Sequence, residues 1–247
     1  MIVLGLDLET TGLSPVDNRV TEIGYVLWDT QKSYPLLMES HFVGSPEVIR
    51  QNLQEIVNIT GISCDILESY GSLSEDVCKK LDNFLILHNP KYIIAHNGDA
   101  FDKPFLLEEF KRSGVTEKRV DTIPWIDTRF DLPYEKNPRS MHLNHLAMDE
   151  GFINPFPHRA LTDVLTMLRV MSKFDFDSIL AYKTIPWVYV RALVSYDDRD
   201  KAKQQKYMWE QVGDRKFPKS WVKKLKQSYL ETERKKCDFE IVEITGE

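Results

Sequence analysis

Three places in the chain put acids where apolar sequence surrounds them. Asp7-Leu8-Glu9 ends the apolar run Ile2–Leu6. Side chains alternate along a strand, so acids at i and i+2 leave by the same face. Two like charges side by side at the end of a buried strand are costly unless a cation neutralises them. Thr10-Thr11-Gly12-Leu13 follow at once, which allows a tight turn with backbone N–H groups near the acids. The second place is Ala95-His96-Asn97-Gly98-Asp99-Ala100-Phe101-Asp102, a short strand and loop with Asp102 opening a helix. The macrodipole favours an acid in a first helical turn, so Asp102 has a purely structural reading beside the chemical one, and Asp99 is its rival. The third place is His158-Arg-Ala-Leu-Thr-Asp163, where Asp163 lies on an otherwise apolar helix between Leu161 and Val164. A buried carboxylate there needs a partner. His158 and Asp163, five residues apart, would sit about 140° apart on an ideal helix. With His158 at the frayed start of the helix or just before it, its ring can swing over the same pocket.

Acids from these three places, if they meet, would make an all-oxygen ligand set, suited to Mg²⁺ or Mn²⁺ rather than zinc. Cys64, Cys78 and Cys237 are too few and too scattered for a zinc cluster or a disulfide framework, and read as free thiols of a reducing cytoplasm. His142 and His145 are spaced i, i+3 on one predicted helix, but no carboxylate or cysteine pattern accompanies them, so they read as surface or satisfied histidines. His96 is expected to position its loop. Arg159 and Lys103 are the bases next to the acidic motifs and are open to phosphate contact.

These groups must be held by surrounding elements. Apolar runs at 2–7, 19–28 and 36–43 at hairpin spacing predict an antiparallel meander. Ser45-Pro46 predicts a helix start, with Ser45 as N-cap, running to about Ile59 and ending near Gly61. Leu73, Val77, Leu81, Phe84 and Leu85 give helical periodicity over 72–87. Residues 92–95 read as a buried strand and 101–112 as a helix closed by Gly114. Residues 120–128 read as a strand interrupted by Pro124, and 141–149 and 158–171 as helices. Strands first, then helices alternating with single strands, predict a mixed sheet flanked by helices, class α/β.

The 247 residues allow one well-buried domain plus an appendage. With 42% hydrophobic and 28% charged residues, wholesale disorder is excluded. No uninterrupted apolar stretch is long enough for a membrane span. The opening run lacks a basic flank and does not read as a signal peptide. Residues 1–190 carry 18 Lys/Arg against 27 Asp/Glu, whereas residues 191–236 carry 14 against 7. This shift marks a boundary and supplies the local positive potential that nucleic acid binding needs. Residues 1–178 are therefore expected as one domain and 185–247 as a small basic α+β appendage. Within the appendage, strands are expected over 187–195 and 238–244, a short helix over 198–206, a strand or turn over 207–209 and a basic amphipathic helix over 218–233. Trp187, Trp209 and Trp221 interleaved with lysines suit either the core of a small module or base stacking.

The motifs DLETTGL (7–13), HNGDAFDKPFL (96–106) and HRALTDV (158–164), in that order, resemble the DEDDh branch of the DnaQ-like 3′→5′ exonuclease superfamily, the proofreading-subunit, exonuclease X and RNase T relatives. Ile126-Asp-Thr128 and Leu143-Asn-His-Leu146 followed by Gly151-Phe152 add softer likeness. The resemblance covers residues 1–175 and leaves 176–247 outside it. It implies a ribonuclease H-like fold: a five-stranded mixed sheet, its first three strands antiparallel, with helices on both sides. The five-residue step from Asn97 to Asp102 is one longer than in proofreading subunits and looks like family-B polymerase exonuclease domains.

The resemblance further implies two Mg²⁺ or Mn²⁺ ions about 3.5–4 Å apart, held by Asp7, Glu9, Asp102 and Asp163, with Asp7 bridging. His158 would act as general base, a histidine being able to take up a proton near neutral pH. Thr10, Thr11, Gly12, Leu13, Asn97 and Phe101 would line the terminal-nucleotide pocket. The activity implied is release of nucleoside 5′-monophosphates from the 3′ end of DNA, single-stranded in the first instance, in the cytoplasm and in contact with replication or repair proteins. An exoribonuclease of the same fold and a non-catalytic nucleic-acid-binding subunit are the alternatives.

Overall fold

Three consecutive strands, β1 (Ile2–Thr10), β2 (Val20–Asp29) and β3 (Tyr34–Phe42), pair antiparallel as the apolar runs predict. The computed structural model describes residues 1–115, 119–134, 138, 140–212 and 219–244. The chain divides into two compact units, Met1–Leu180 and Ala181–Glu247. After the meander come α1 (Pro46–Gln51), α2 (Gln54–Thr60), α3 (Cys64–Tyr70) and α4 (Ser74–His88). Next are β4 (Ile93–Ala95), α5 (Asp102–Arg112), α6 (Arg119–Thr122) and β5 (Trp125–Asp127), followed by α7 (Leu143–Asp149), α8 (Ala160–Met171) and α9 (Phe176–Thr184). The sheet order is β3-β2-β1-β4-β5, with β4 parallel to β1 and β5 parallel to β4.

The period-2 alternation sorts β1 between two cores. Leu4, Leu6 and Leu8 face a cluster with Ile23, Tyr25, Leu81, Phe105 and Phe110. Val3 faces the opposite cluster with Val26, Trp28, Val164 and Leu168. Asp7 and Glu9 share Val3's parity, so they emerge at the far end of the face that α8 covers. Register then brings α8 close. Gly24 is the cross-strand partner of Asp7, and a Cβ there would lie 2.5 Å from the Leu161 nitrogen and 2.6 Å from the Ala160 carbonyl carbon. Backbone thus seats on backbone at the turn of α8 that carries Asp163. Gly24→Ala is expected to push this helix end outward, costing about 1–3 kcal/mol in a urea melt. Turnover should fall as well, because the acid at 163 moves with the helix.

Several expectations are corrected. The single helix expected from 46 to 59 is broken at Asn52-Leu53 into α1 and α2. Ser45 is the N-cap residue of α1, but its hydroxyl bonds Ser74 rather than the helix. Residues 119–122 are a helical turn and only 125–127 a strand, because Pro124 has no N–H for a ladder. Helix α8 starts at Ala160, with Arg159 as N-cap and His158 outside it. Helices α3 and α9 were not expected.

The second unit holds β6 (Trp187–Leu193), α10 (Arg199–Gln204), β7 (Met208–Glu210), β8 (Ser220–Lys226), α11 (Leu230–Lys236) and β9 (Glu240–Ile244), in an antiparallel sheet of order β7-β8-β6-β9. The basic helix expected over 218–233 is therefore a strand over 220–226 and a helix only from 230, with Pro218 outside the described residues. Lysines 223, 224 and 226 mimic a polar helix face, yet each finds strand surroundings. Lys223 bonds Glu233 at 2.6 Å, Lys224 lies over Trp187 and Tyr189, and Lys226 is buried with its ammonium on the Lys183 and Ile185 carbonyls. Aliphatic stems cover apolar surface while the charges find partners.

Candidate active site

The C-terminal end of β1, the β4–α5 loop and the start of α8 meet at one place. Glu9 is 8% exposed and Asp102 2% exposed, and Asp102 opens α5 as read from sequence, whereas its rival Asp99 faces solvent. Asp163 lies in the first turn of α8. Its carboxylate accepts the His158 N–H at 2.9 Å and a hydrogen bond from the Asn154 amide. Asn154 in turn accepts the Phe156 N–H, so the 154–158 loop is clasped around the acid. His158 has φ +63°. This left-handed turn just ahead of the N-cap lets the exposed imidazole return over the acids, and ring nitrogen, Glu9 and Asp163 oxygens lie within 4.8 Å of one another. No helical-wheel angle separates the two, since His158 is outside the helix.

The acids share one unfavourable field. Burial, then Asp102, Asp163, Glu9 and Glu22, holds the Asp7 carboxyl well above the usual carboxylate range. Glu9 is pushed up to about 8 by burial, followed by Asp163, Glu22 and Asp102. Burial raises Asp102 to about 7, against backbone N–H groups of Asp102 itself and Leu8. Asp163 is also raised by burial, opposed by His158 and Asn154. One Asp102 oxygen is buried with no hydrogen-bond partner among the described residues. Crowded carboxylates with an orphaned oxygen fit a divalent cation, because oxygen donors of this charge are what Mg²⁺ and Mn²⁺ take.

This crowding has a measurable consequence. Groups raised in the fold hold protons that the unfolded chain releases near pH 4, so the native state binds more protons over the interval between. In chelated protein the cluster's contribution to stability is therefore largest below about pH 4 and is lost as pH rises toward about 8. A bound cation reverses the repulsion. The Mg²⁺-dependent gain in melting temperature is expected to be greater at about pH 8 than at about pH 5, and thermal melts with chelator or Mg²⁺ at both values check it.

Around the acids the structure adds residues that sequence reading passed over. Glu22, the cross-strand partner of Glu9, is 1% exposed. It accepts two bonds from the Arg159 guanidinium (3.0 and 3.2 Å), the Ala160 N–H and the Ser40 hydroxyl. It therefore pins the start of α8 to the sheet and engages Arg159, which was open to phosphate contact from sequence. An acid directly ahead of the run Ile23–Trp28 in β2 was the signal. Asn154, ahead of Pro155, was marked only by its turn-forming type.

The remaining sequence candidates fall into two groups. Thr10 and Thr11 brace the loop. The Thr10 hydroxyl donates to the Gly12 carbonyl at 2.6 Å, and the Thr11 N–H donates to the Arg19 carbonyl at 2.8 Å, so that N–H is engaged within the protein. Gly12 lies so close to Asn18 that a Cβ would meet its side chain at 2.5 Å. Leu13, 85% exposed, projects at the tip. Phe101 is half-buried with its ring 4.8 Å from that of Phe105. Asn97, at φ +67°, gives its N–H to Asp127 and accepts from Arg129.

A cleft of about 530 Å³ opens beside the acids, lined by Asp7, Asp163 and His158 and by Asn97, Arg129, His142 and His145 among others. The two exposed helix histidines thus edge this cleft, with rings 5.8 Å apart. His96 is half-buried, and desolvation of its ring pushes it down to about 4, so it is neutral. Its Nε2–H donates to the Met141 carbonyl and Nδ1 meets the Thr128 hydroxyl, which fixes its loop.

The RNase_T family model, described as exonuclease, matches residues 4–171. PolC-type DNA polymerase III of Thermotoga petrophila is 33% identical over 172 residues, covering 68% of this chain and 11% of the polymerase. The enzyme of Halalkalibacterium halodurans is 30% identical over 158 residues, covering 64% and 10%. The chain thus spans about a tenth of the length of the curated relatives it matches. Among solved structures, exonuclease I superposes with a TM-score of 0.67 at 13% identity over 95% of this chain and 67% of that one. The nuclease domain of 3′hExo, a DEDDh family member bound to rAMP, gives 0.59 at 20% identity over 70% and 90%. The fold is therefore ribonuclease H-like, and the exonuclease I alignment reaches beyond residue 175 into the second unit. With the family model taking in all five strands of the first sheet but for the first two residues of β1, and with α5 and α8 inside its bounds, the chain belongs to the RNase_T exonuclease family.

Proposed function

We propose that this exonuclease removes nucleotides one at a time from the 3′ end of single-stranded DNA and releases nucleoside 5′-monophosphates. The observation that carries the reading is the convergence of Asp7, Glu9, Asp102 and Asp163 in one field beside an open cleft. A protein that only bound strands would gain nothing from negative charge where phosphates must sit. DNA is favoured over RNA because the curated relatives reported above are DNA polymerases, whose context also suggests a replication or repair assembly as protein partner. An E. coli exonuclease I complex with a dT13 oligonucleotide, superposing with a TM-score of 0.61 at 15% identity over 91% of this chain and 63% of that one, supports a single strand as substrate. Three free thiols fit a cytoplasmic setting. Among the described residues no helix is long and apolar enough to cross a membrane.

Asp7, Glu9, Asp102 and Asp163 would hold two Mg²⁺ or Mn²⁺ ions. When bound, these neutralise charge on the phosphoryl oxygens and the leaving 3′ oxygen and acidify the attacking water. His158 takes the proton of that water at a ring nitrogen as the water oxygen bonds to phosphorus. The bond from phosphorus to the 3′ oxygen breaks, and solvent protonates the departing alkoxide to a 3′-hydroxyl. Asn154 and the His158 N–H keep Asp163 oriented throughout. Leu13, exposed at its loop tip, offers an apolar contact to the terminal base, with Phe101, Asn97, Gly12 and the two threonines shaping the rest of that pocket.

The second reading, trimming of RNA 3′ ends, is favoured by the 3′hExo nuclease domain, which binds rAMP. The choice depends on contacts to the 2′-hydroxyl. Matched DNA and RNA strands, labelled throughout, digested with Mg²⁺ or Mn²⁺ decide it. Faster release of deoxynucleotides from single-stranded DNA supports the proposal, whereas preference for RNA selects the second reading. Binding without release of mononucleotides, unaffected by chelator, would make the protein a scaffold.

A further inference from the structure

The cleft that Asp7 lines is also lined by Arg129, a guanidinium that no carboxylate among the described residues neutralises. Arg129 follows β5 and is half-buried beside Asn97. Its Nη1 donates to the Asn97 side-chain oxygen at 3.0 Å, and the guanidinium lies 5.2 Å from the Phe130 ring centroid. Its Nε is buried with no acceptor, and no carboxylate pairs with it among the described residues. Arg159 differs: it too lies near the acids, but two of its nitrogens are taken by Glu22.

The mounting of Arg129 is stiff. Asp127 accepts the backbone N–H of both Arg129 and Asn97. Asn97 is held at φ +67°, and its side-chain oxygen points back at the guanidinium. A backbone conformation that costs energy in most residues is thus fixed at both ends by hydrogen bonds. A half-buried Arg with spare N–H groups is suited to a phosphate, since its planar fork meets two oxygens at once. An anionic strand entering a site of crowded carboxylates also needs a compensating positive group near its path.

Position says which phosphate. In the sheet order, β5 is two strands from β1, so the ends of these strands lie about 10 Å apart. Arg129 is therefore displaced along the sheet from the acid cluster where the scissile bond would lie. We propose that Arg129 grips the phosphodiester adjoining the scissile one, on the retained side of the strand, and so makes the enzyme prefer a polynucleotide over an isolated nucleotide ester. This rests on the exonuclease reading above and adds a specificity-determining residue to it.

The test compares wild type, Arg129→Gln and Arg129→Lys on a single-stranded oligonucleotide and on thymidine 5′-(p-nitrophenyl phosphate), which has the scissile phosphate and no neighbour. For Arg129→Gln, kcat/KM on the oligonucleotide is expected to fall about 10- to 100-fold, while hydrolysis of the ester stays within twofold of wild type. The plot of log kcat/KM against log salt should become shallower by about 0.7, the value for one phosphate contact on a single strand. Arg129→Lys should recover the salt slope but only part of the rate, because it keeps the charge and loses the fork. An equal loss on both substrates would make Arg129 a brace for the Asn97 loop and overturn the proposal. An unchanged oligonucleotide rate would overturn it too. If wild type releases no mononucleotide from any strand, the exonuclease reading fails first, and that result cannot be confused with the others.

Discussion

Asp7→Asn is expected to lower kcat/KM on a 3′-ended strand by about a thousandfold or more, while metal-free protein melts at the same temperature as wild type or higher. The rate loss follows from the chemistry expected of the site. Positioning and neutralisation by divalent ions contribute several kcal/mol to phosphoryl transfer, and about 4 kcal/mol corresponds to a thousandfold. The stability change has the opposite sign because Asp7 is the acid most burdened by its neighbours, facing Asp102, Asp163, Glu9 and Glu22 together. An amide of the same shape removes one charge from that set. A residue kept for folding would behave otherwise, since its loss lowers stability. The two readouts thus separate a ligand from a brace, and a third completes the case: the Mg²⁺-dependent gain in melting temperature should shrink sharply in the variant. A full Mg²⁺ response with lost activity would remove Asp7 from the metal set.

Why these acids were legible in the sequence, and others not, has a physical basis. Asp7 and Glu9 declared themselves through strand parity, which needs only the spacing of two residues. Asp163 stood out because an acid between Leu161 and Val164 contradicts the apolar pattern of its own helix. Asp102 over Asp99 depended on where a helix begins, and that too is local. Glu22, Asn154 and Arg129 depend on register and on loop path. Glu22 reaches Glu9 only through the pairing of β1 with β2, and its partner Arg159 lies 137 residues later in the chain. Arg129 follows a strand shortened by Pro124, where alternation is too brief to show direction. In the second unit, lysines spaced as on a helix face line a strand, because pairing with β6 and ring contacts from Trp187 override local propensity. The resemblance of the motifs implied the fold of the first unit, and geometry added what clamps it.

His158→Asn is expected to reduce kcat by about 10²- to 10⁴-fold, the usual contribution of a general base, with little change in KM. Asparagine is chosen over alanine for a backbone reason. Residue 158 has φ +63°, and its N–H holds Asp163. Asparagine tolerates this left-handed conformation, whereas alanine would add about 1–2 kcal/mol of strain and could displace the acid. A loss seen in the asparagine variant therefore belongs to the imidazole. The ring nitrogen shares its surroundings with the Glu9 and Asp163 oxygens, within 4.8 Å, so a base and a cation ligand are both geometrically open to it. The pH profile and the metal titration divide these roles. A base leaves its signature as an ascending limb of kcat against pH, which the variant should lack, while the Mg²⁺ concentration giving half-maximal stabilisation stays within about threefold of wild type. A ligand would instead move that concentration by tenfold or more and leave the residual activity with its original pH limb. Exogenous imidazole is expected to restore part of the rate in the first case only, because a diffusible base can replace a missing proton acceptor beside an intact acidic cage.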